Sequence, residues 1–188
     1  MSFIVIEGDN ATGKTTLSNC LPYENINTLS WFRCKEAELK KLPLSQKIPA
    51  FLDFNLKCGE YGEKNKNVCV LTRYWISTLC AAYADGLYDQ ETTCRLVQEC
   101  EQTYPKPAFV IFLRCTESVR MSRISIRRNN NDFSDPILEE RNKRYLYISQ
   151  YIESALNNSI TIFTDSCQSN EIAQRIVLRM QQEKKNAD

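Results

Sequence analysis

Eight residues near the start of the chain, Gly8-Asp9-Asn10-Ala11-Thr12-Gly13-Lys14-Thr15, restrict its fold more than any other segment. They follow the apolar run Phe3-Ile4-Val5-Ile6 and lead into Thr16-Leu17, where a helical pattern begins. A strand that stops abruptly, a turn bounded by glycines and a helix pointing back at that turn converge several backbone N–H groups on one point. Protein backbones hold phosphate in this way. Gly8 and Gly13 permit the tight path, while Asp9, Asn10, Ala11 and Thr12 form the wall of the loop. Lys14 reaches the outer phosphates, the Thr15 hydroxyl suits Mg²⁺, and Thr16 continues the helix. The segment fits the GxxxxGK[ST] phosphate-loop pattern, with ATP and Mg²⁺ as the expected ligands.

The remaining pattern agrees with a strand–loop–helix beginning. Short apolar strand candidates at residues 3–7, 27–32, 68–72, 109–114 and 159–164 alternate with helical patterns. The helices begin near Lys14, Leu44, Tyr74, Asp89, Thr116, Pro136 and Ser169. This order predicts an α/β fold, the P-loop NTPase three-layer sandwich, with a five-stranded parallel sheet flanked by helices. With 188 residues, one domain over residues 1–188 is expected. The stretch from Arg127 to Asp135 is polar and aperiodic and joins two helical patterns, which predicts a mobile lid at about residues 127–136.

Composition narrows the function classes. A net charge of +1 gives no basic surface for nucleic acid. The apolar runs fall well short of the ~20 residues of a membrane span, and the N-terminus shows no signal-peptide pattern. A soluble, cytoplasmic protein without membrane or nucleic-acid partners is expected. Nine cysteines without a CxxC pair, and no histidine, predict reduced structural thiols rather than a zinc site. The lack of histidine also removes Ser-His and Cys-His catalysis.

No Asn-Lys-x-Asp guanine signature is present, and the strands at 68–72 and 109–114 end in Thr72 and Arg114 rather than in an aspartate. Arginine-bearing segments follow instead. Thr72-Arg73-Tyr74 followed by Ser77-Thr78, the stretch from Arg123 to Asp135, Arg141-Asn142-Lys143-Arg144-Tyr145-Leu146 and Thr164-Asp165-Ser166 occur in that order behind the phosphate loop. As an ordered set spanning most of the chain, they resemble the thymidylate kinase family and its relatives, the deoxynucleoside kinases. The resemblance implies a nucleoside monophosphate kinase that moves the ATP γ-phosphate to a (deoxy)nucleoside monophosphate, dTMP to dTDP. It places Asp165 near adenine and Phe51 against the acceptor base, with Asn55 where the family has an arginine. Asn10 and Ser77 join the acceptor site, and a homodimer forms through helices near residues 44–58 and 74–84.

Charge arguments support the arginine assignments separately. Phosphoryl transfer is mostly positioning and charge neutralisation, and the arginine fork grips phosphate oxygens in pairs. Arg73, at the C-terminal end of a central strand, is placed to clamp the acceptor phosphate, with Arg33 a second clamp. Arg123 and Arg127 share a helix face and can close over the transferred group, so Lys14, Arg73, Arg123 and Arg127 are the catalytic candidates. The competing readings are a surface ion pair for Arg73, a solvated basic helix end for the lid arginines, and plain core packing for Phe51 and Phe54.

Two departures from the family pattern keep other functions open. Thr72 stands where the family has a Mg²⁺-organising carboxylate, leaving Thr15 and Asp9 as metal candidates. No glutamate occupies Trp31-Phe32-Arg33-Cys34-Lys35, where deoxynucleoside kinases resemble one another in carrying a base. Cations there favour a nucleotide acceptor over a nucleoside, although Glu36 is close enough to serve as a base. The alternatives are a deoxynucleoside kinase and a catalytically impaired ATP-binding regulatory protein.

Overall fold

The computed structural model describes residues 3–128 and 136–187. Five strands form one sheet: β1 (Phe3–Gly8), β2 (Glu24–Asn25), β3 (Cys69–Thr72), β4 (Val110–Arg114) and β5 (Ser159–Phe163). Their spatial order is β2-β3-β1-β4-β5, and every pairing is parallel. β1 is central and buried along its whole length. Its alternation therefore feeds two cores rather than one core and solvent, as parallel sheets covered on both faces require. Phe3 and Val5 join Leu71, Val110 and Phe112 on one face, while Ile4 and Ile6 join Val70, Ile111 and Leu113 on the other.

The first face is covered by α3 (Leu44–Lys64), α4 (Trp75–Ala84), α5 (Gln90–Thr103) and α7 (Pro136–Ala155). The second is covered by α1 (Lys14–Cys20) and α8 (Ser169–Ala187). α2 (Ser30–Leu39) packs beside α3, and α6 (Glu117–Arg128) follows β4. Local chemistry sets several of these starts. The Asp89 side chain, for example, accepts the N–H of Thr92 and caps α5.

One expected strand is corrected. Residues 27–32 are not a strand: the sheet ends at Asn25, a 3-10 turn occupies Ile26–Thr28, and α2 begins at Ser30. Asn25 turns the chain by accepting the N–H of Asn27 on its own side-chain oxygen, a local bond that competes with strand pairing. The expected dimer contact through residues 74–84 also meets an obstacle. α4 is buried within the chain by α3, α5 and α7. Among the described residues, no helix is long and apolar enough to cross a membrane.

The strand order reverses direction around β1, since the chain builds β2 and β3 to one side and β4 and β5 to the other. In open parallel sheets the crevice beyond the carboxyl ends of strands at such a point is where ligands bind. Here that crevice is bounded by Gly8, Thr72 and Arg114, the last residues of β1, β3 and β4.

Candidate active site

The loop after β1 has the backbone that the glycines allow. Gly8 stands at φ +136°, and a side chain there would run into the Leu113 carbonyl of β4. Ala11 and Gly13 also have positive φ, at +63° and +97°. Lys14 is buried and bends back over the loop, its Nζ 2.8 Å from the Gly8 carbonyl oxygen and 2.5 Å from that of Asp9. Thr12 ties the same loop together by donating to the Asp9 carbonyl at 2.9 Å. The ammonium thus holds carbonyl partners that incoming phosphate oxygens can replace. Thr15 and Thr16 are exposed at the start of α1.

Across the crevice, β3 ends at Thr72 and the next residue turns sharply. Arg73 has φ +72°, a left-handed conformation rare for a side chain of its size. Its N–H bonds to the Ile6 carbonyl at 3.0 Å, its Nη2 to Asn10 Oδ1 at 2.9 Å, and its Nη1 lies 3.5 Å from Ser77 Oγ. The side chain therefore joins the phosphate loop to the first turn of α4. Below it, Glu7 is fully buried and receives the Tyr74 N–H at 2.7 Å. Burial pushes its carboxyl above the usual carboxylate range, against the opposing pull of Ser77, Tyr74 and the Arg73 and Lys14 charges.

A cavity of about 410 Å³ opens beside Arg73. Of the expected acceptor residues, Phe51, Asn55, Arg73 and Ser77 line it, and Asn10 reaches it through Arg73. Asn55 is buried and donates to Thr78 Oγ1 at 2.8 Å, while Phe51 meets Phe54 edge-on at 6.3 Å. Arg33 does not line the cavity. Residue 33 falls in α2 rather than after a strand, on an exposed position, which removes the geometric basis for a second clamp. The wall also includes Asn27, whose Oδ1 accepts the Thr72 N–H at 2.6 Å, together with Glu36, Lys40, Lys47 and Asp85. Among the described residues, the buried Thr72 Oγ1 has no hydrogen-bond partner. The sequence reading missed Asn27 as a wall residue because it lay inside the misassigned strand.

A second cavity, about 330 Å³, lies on the other flank of the loop, lined by Ala11, Gly13, Thr16, Arg123, Thr164 and Cys167, among others. Arg123 is fixed there by bonds to the Thr164 carbonyl at 2.6 Å and its Oγ1 at 2.9 Å, and to the Ala11 carbonyl at 3.3 Å. In this arrangement it braces the loop beside the second cavity instead of covering the first. Asp165 does not line either cavity. It accepts the Thr116 N–H at 2.8 Å and the Thr116 hydroxyl at 2.6 Å ahead of α6, bonds that hold its carboxyl below the ordinary range. The side chain of Arg127 and most of the lid expected at 127–136 lie outside the described residues.

The other residue that sequence reasoning missed is Arg120. It is buried, bound to Glu117 through Nε at 2.7 Å, and its Nη1 stands 3.7 Å from Asp9 Oδ2. That carboxylate oxygen is buried and has no hydrogen-bond partner among the described residues. As metal candidates the two loop residues therefore differ. Thr15 offers an exposed hydroxyl at the loop, whereas Asp9 turns its carboxylate toward a guanidinium.

No family model and no curated protein matches the chain in sequence. Solved structures do match in shape. Thymidylate kinase from Candida albicans superimposes with a TM-score of 0.67 at 13% identity, covering 97% of this chain and 92% of that one. Deoxyadenosine kinase from M. mycoides, with bound dATP, gives a TM-score of 0.59 at 17% identity over 95% and 99%. The YorR protein from Bacillus subtilis, in complex with phosphorylated GDP, gives 0.55 at 19% identity over 97% of each chain. At these identities the likeness establishes the fold: this chain is built on the P-loop α/β scaffold seen in structures of thymidylate and deoxyadenosine kinases.

Proposed function

We propose that the chain is an ATP-dependent phosphotransferase acting on a nucleoside monophosphate, a thymidylate kinase-like enzyme with dTMP as its acceptor. The observation that carries this reading is Arg73, a strained cation bonded to the phosphate loop on one side and lining the acceptor cavity on the other. A group passing from a triphosphate on the loop to an acceptor in that cavity has to cross beside it. The donor phosphates take the place of the carbonyls now held by Lys14, and the donor base takes the second cavity, beside Arg123. Phe51 and Asn55 meet the acceptor base. Mg²⁺, held by Thr15, water and phosphate oxygens, supplies further charge neutralisation when bound. The same reading has the protein cytoplasmic and homodimeric, with the outer side of α3 as the remaining contact.

The choice of a monophosphate over a nucleoside rests on the carboxylates of the acceptor cavity. A sugar hydroxyl must lose a proton to a base, whereas a phosphate acceptor needs cations. Glu36 is paired with Lys40 at 2.7 Å and Asp85 with Arg141 at 2.5 Å, so both wall carboxylates face cations. Arg73, Lys40 and Lys47 line the same space.

The experiment is an acceptor panel of nucleosides and monophosphates with ATP. Transfer to a monophosphate is expected, and it disappears in Lys14→Ala while the circular dichroism spectrum stays native. Transfer to nucleosides alone would overturn the acceptor assignment. ATP binding without transfer to any member of the panel would replace the kinase reading with a regulatory one.

A further inference from the structure

Glu7 has no part in the chemistry proposed above, yet it is fully buried one residue before the phosphate loop. Its Oε1 accepts the N–H groups of Tyr74 at 2.7 Å and Ser77 at 3.3 Å, and its Oε2 accepts the Ser77 hydroxyl. α4 begins at Trp75, and its N-cap residue Tyr74 supplies no side-chain cap. A carboxylate from β1 does that work instead, satisfying amides that the first turn of a helix leaves open.

The strained residue lies between these anchors. Arg73 is pinned before its turn by its own N–H on the Ile6 carbonyl and after it by the Tyr74 N–H on Glu7. Consecutive residues of β1 thus grip consecutive amides of the turn, and such a conformation persists only where its surroundings over-determine it. The side chain is governed from the same point. With its hydroxyl donated to Glu7, Ser77 turns its oxygen toward Arg73 Nη1 at 3.5 Å and the Tyr145 hydroxyl at 3.4 Å.

We propose that Glu7 is the positioning residue of Arg73: it fixes the turn and, through Ser77, the guanidinium, so that the phosphate loop and the acceptor clamp keep one register. This inference rests on the kinase reading for its kinetic consequence.

The test is a mutant cycle. Glu7→Ala removes the carboxylate, and Glu7→Asp withdraws it by one methylene while keeping the charge. Both should lower kcat for the monophosphate acceptor by roughly ten- to a hundredfold, with the KM for ATP within about threefold. Glu7→Gln keeps an acceptor oxygen for both amides but meets Ser77 with an N–H donor, reversing that bond, and should recover more of the rate than Glu7→Asp or Glu7→Ala retains. In an Arg73→Ala background the Asp and Ala changes should add less than about threefold, because they act through the residue already removed. Additive losses, or wild-type kcat in Glu7→Asp, overturn the proposal; Glu7→Asp serves alone should Glu7→Ala fail to fold.

A wild-type protein that transfers to no acceptor sinks the kinase reading instead. Hydrogen exchange then decides the inference: the Tyr74 and Ser77 amides should exchange more than tenfold faster in Glu7→Asp, while those of β4 keep their protection. Unchanged exchange at both amides refutes it.

Discussion

At φ +72°, Arg73 holds a backbone conformation in which an L-residue's Cβ crowds the neighbouring carbonyl, at a cost of about 1–2 kcal/mol that glycine does not incur. Two substitutions separate the backbone from the side chain. Arg73→Ala discards the guanidinium and keeps the strain, whereas Arg73→Gly discards both. The glycine variant should be more stable than the alanine variant by about 1 kcal/mol in denaturant unfolding, with transfer lowered but still measurable in both. Equal midpoints would mean that the turn relaxes once the side chain is gone. Glu7 makes a second residue-scale prediction through pH. Burial raises its pKa above the ordinary 4.5, so the folded protein holds that proton more tightly than the unfolded chain. The stability this confers is complete below about pH 4.5 and is lost as pH rises through the folded value. Glu7→Gln cannot ionise and loses nothing, so urea unfolding across pH should show the variant gaining on the wild type as pH rises above 4.5. A constant difference would show that Glu7 titrates alike in both states.

At the scale of elements, α3 shows how a helix is brought close to the sheet. Gly59 and Gly62 are three residues apart and buried, and a side chain at either would collide with Tyr74 or Phe3. A Cβ at Gly62 would stand 2.8 Å from Phe3 Cβ, an atom next to the backbone of a fully buried strand residue that has no room to move. Gly62→Ala gains up to about 1 kcal/mol of helix propensity, but overpacking of this kind costs about 1–3 kcal/mol. A net loss of stability, seen as a lower Tm with unchanged helix content, is the expected result. These glycines were silent in the sequence, where they interrupt a helical pattern without saying what lies against them. Four strands and seven helix starts were legible because apolar runs and caps are local. β2 and α2 were not, although Ile26, Leu29 and Phe32 recur at a spacing of three that suits a helical turn better than a strand. Phe51, Asn55 and Arg73 could be picked out from short motifs. Glu7 with Tyr74, Asn27 with Thr72 and Asp9 with Arg120 could not, since each pair exists only after the sheet has brought distant segments together.

Taken as a whole, the molecule carries cavities on both flanks of one loop, and its cysteines offer a way to find which of them receives ATP. Only the thiolate reacts quickly with disulfide reagents, so burial protects a cysteine both by access and by pKa. Burial pushes Cys58 and Cys100 up to about 12 and Cys69 up to about 11, and Cys80 is fully buried. Cys34 and Cys167 are exposed, so at neutral pH these two of the nine thiols should label in the fast phase. They report on different regions. Cys167 lines the second cavity, whereas Cys34 lies on α2 and lines neither cavity. A donor base seated in the second cavity shields Cys167 and leaves Cys34 free. Saturating ATP should therefore slow labelling at Cys167 by roughly tenfold or more, as expected for access control of a reactive thiol, without changing the rate at Cys34. Lys14→Ala, which lacks the phosphate anchor, should lose that protection. Labelling at Cys167 that ATP leaves unchanged would move the donor nucleotide out of the second cavity.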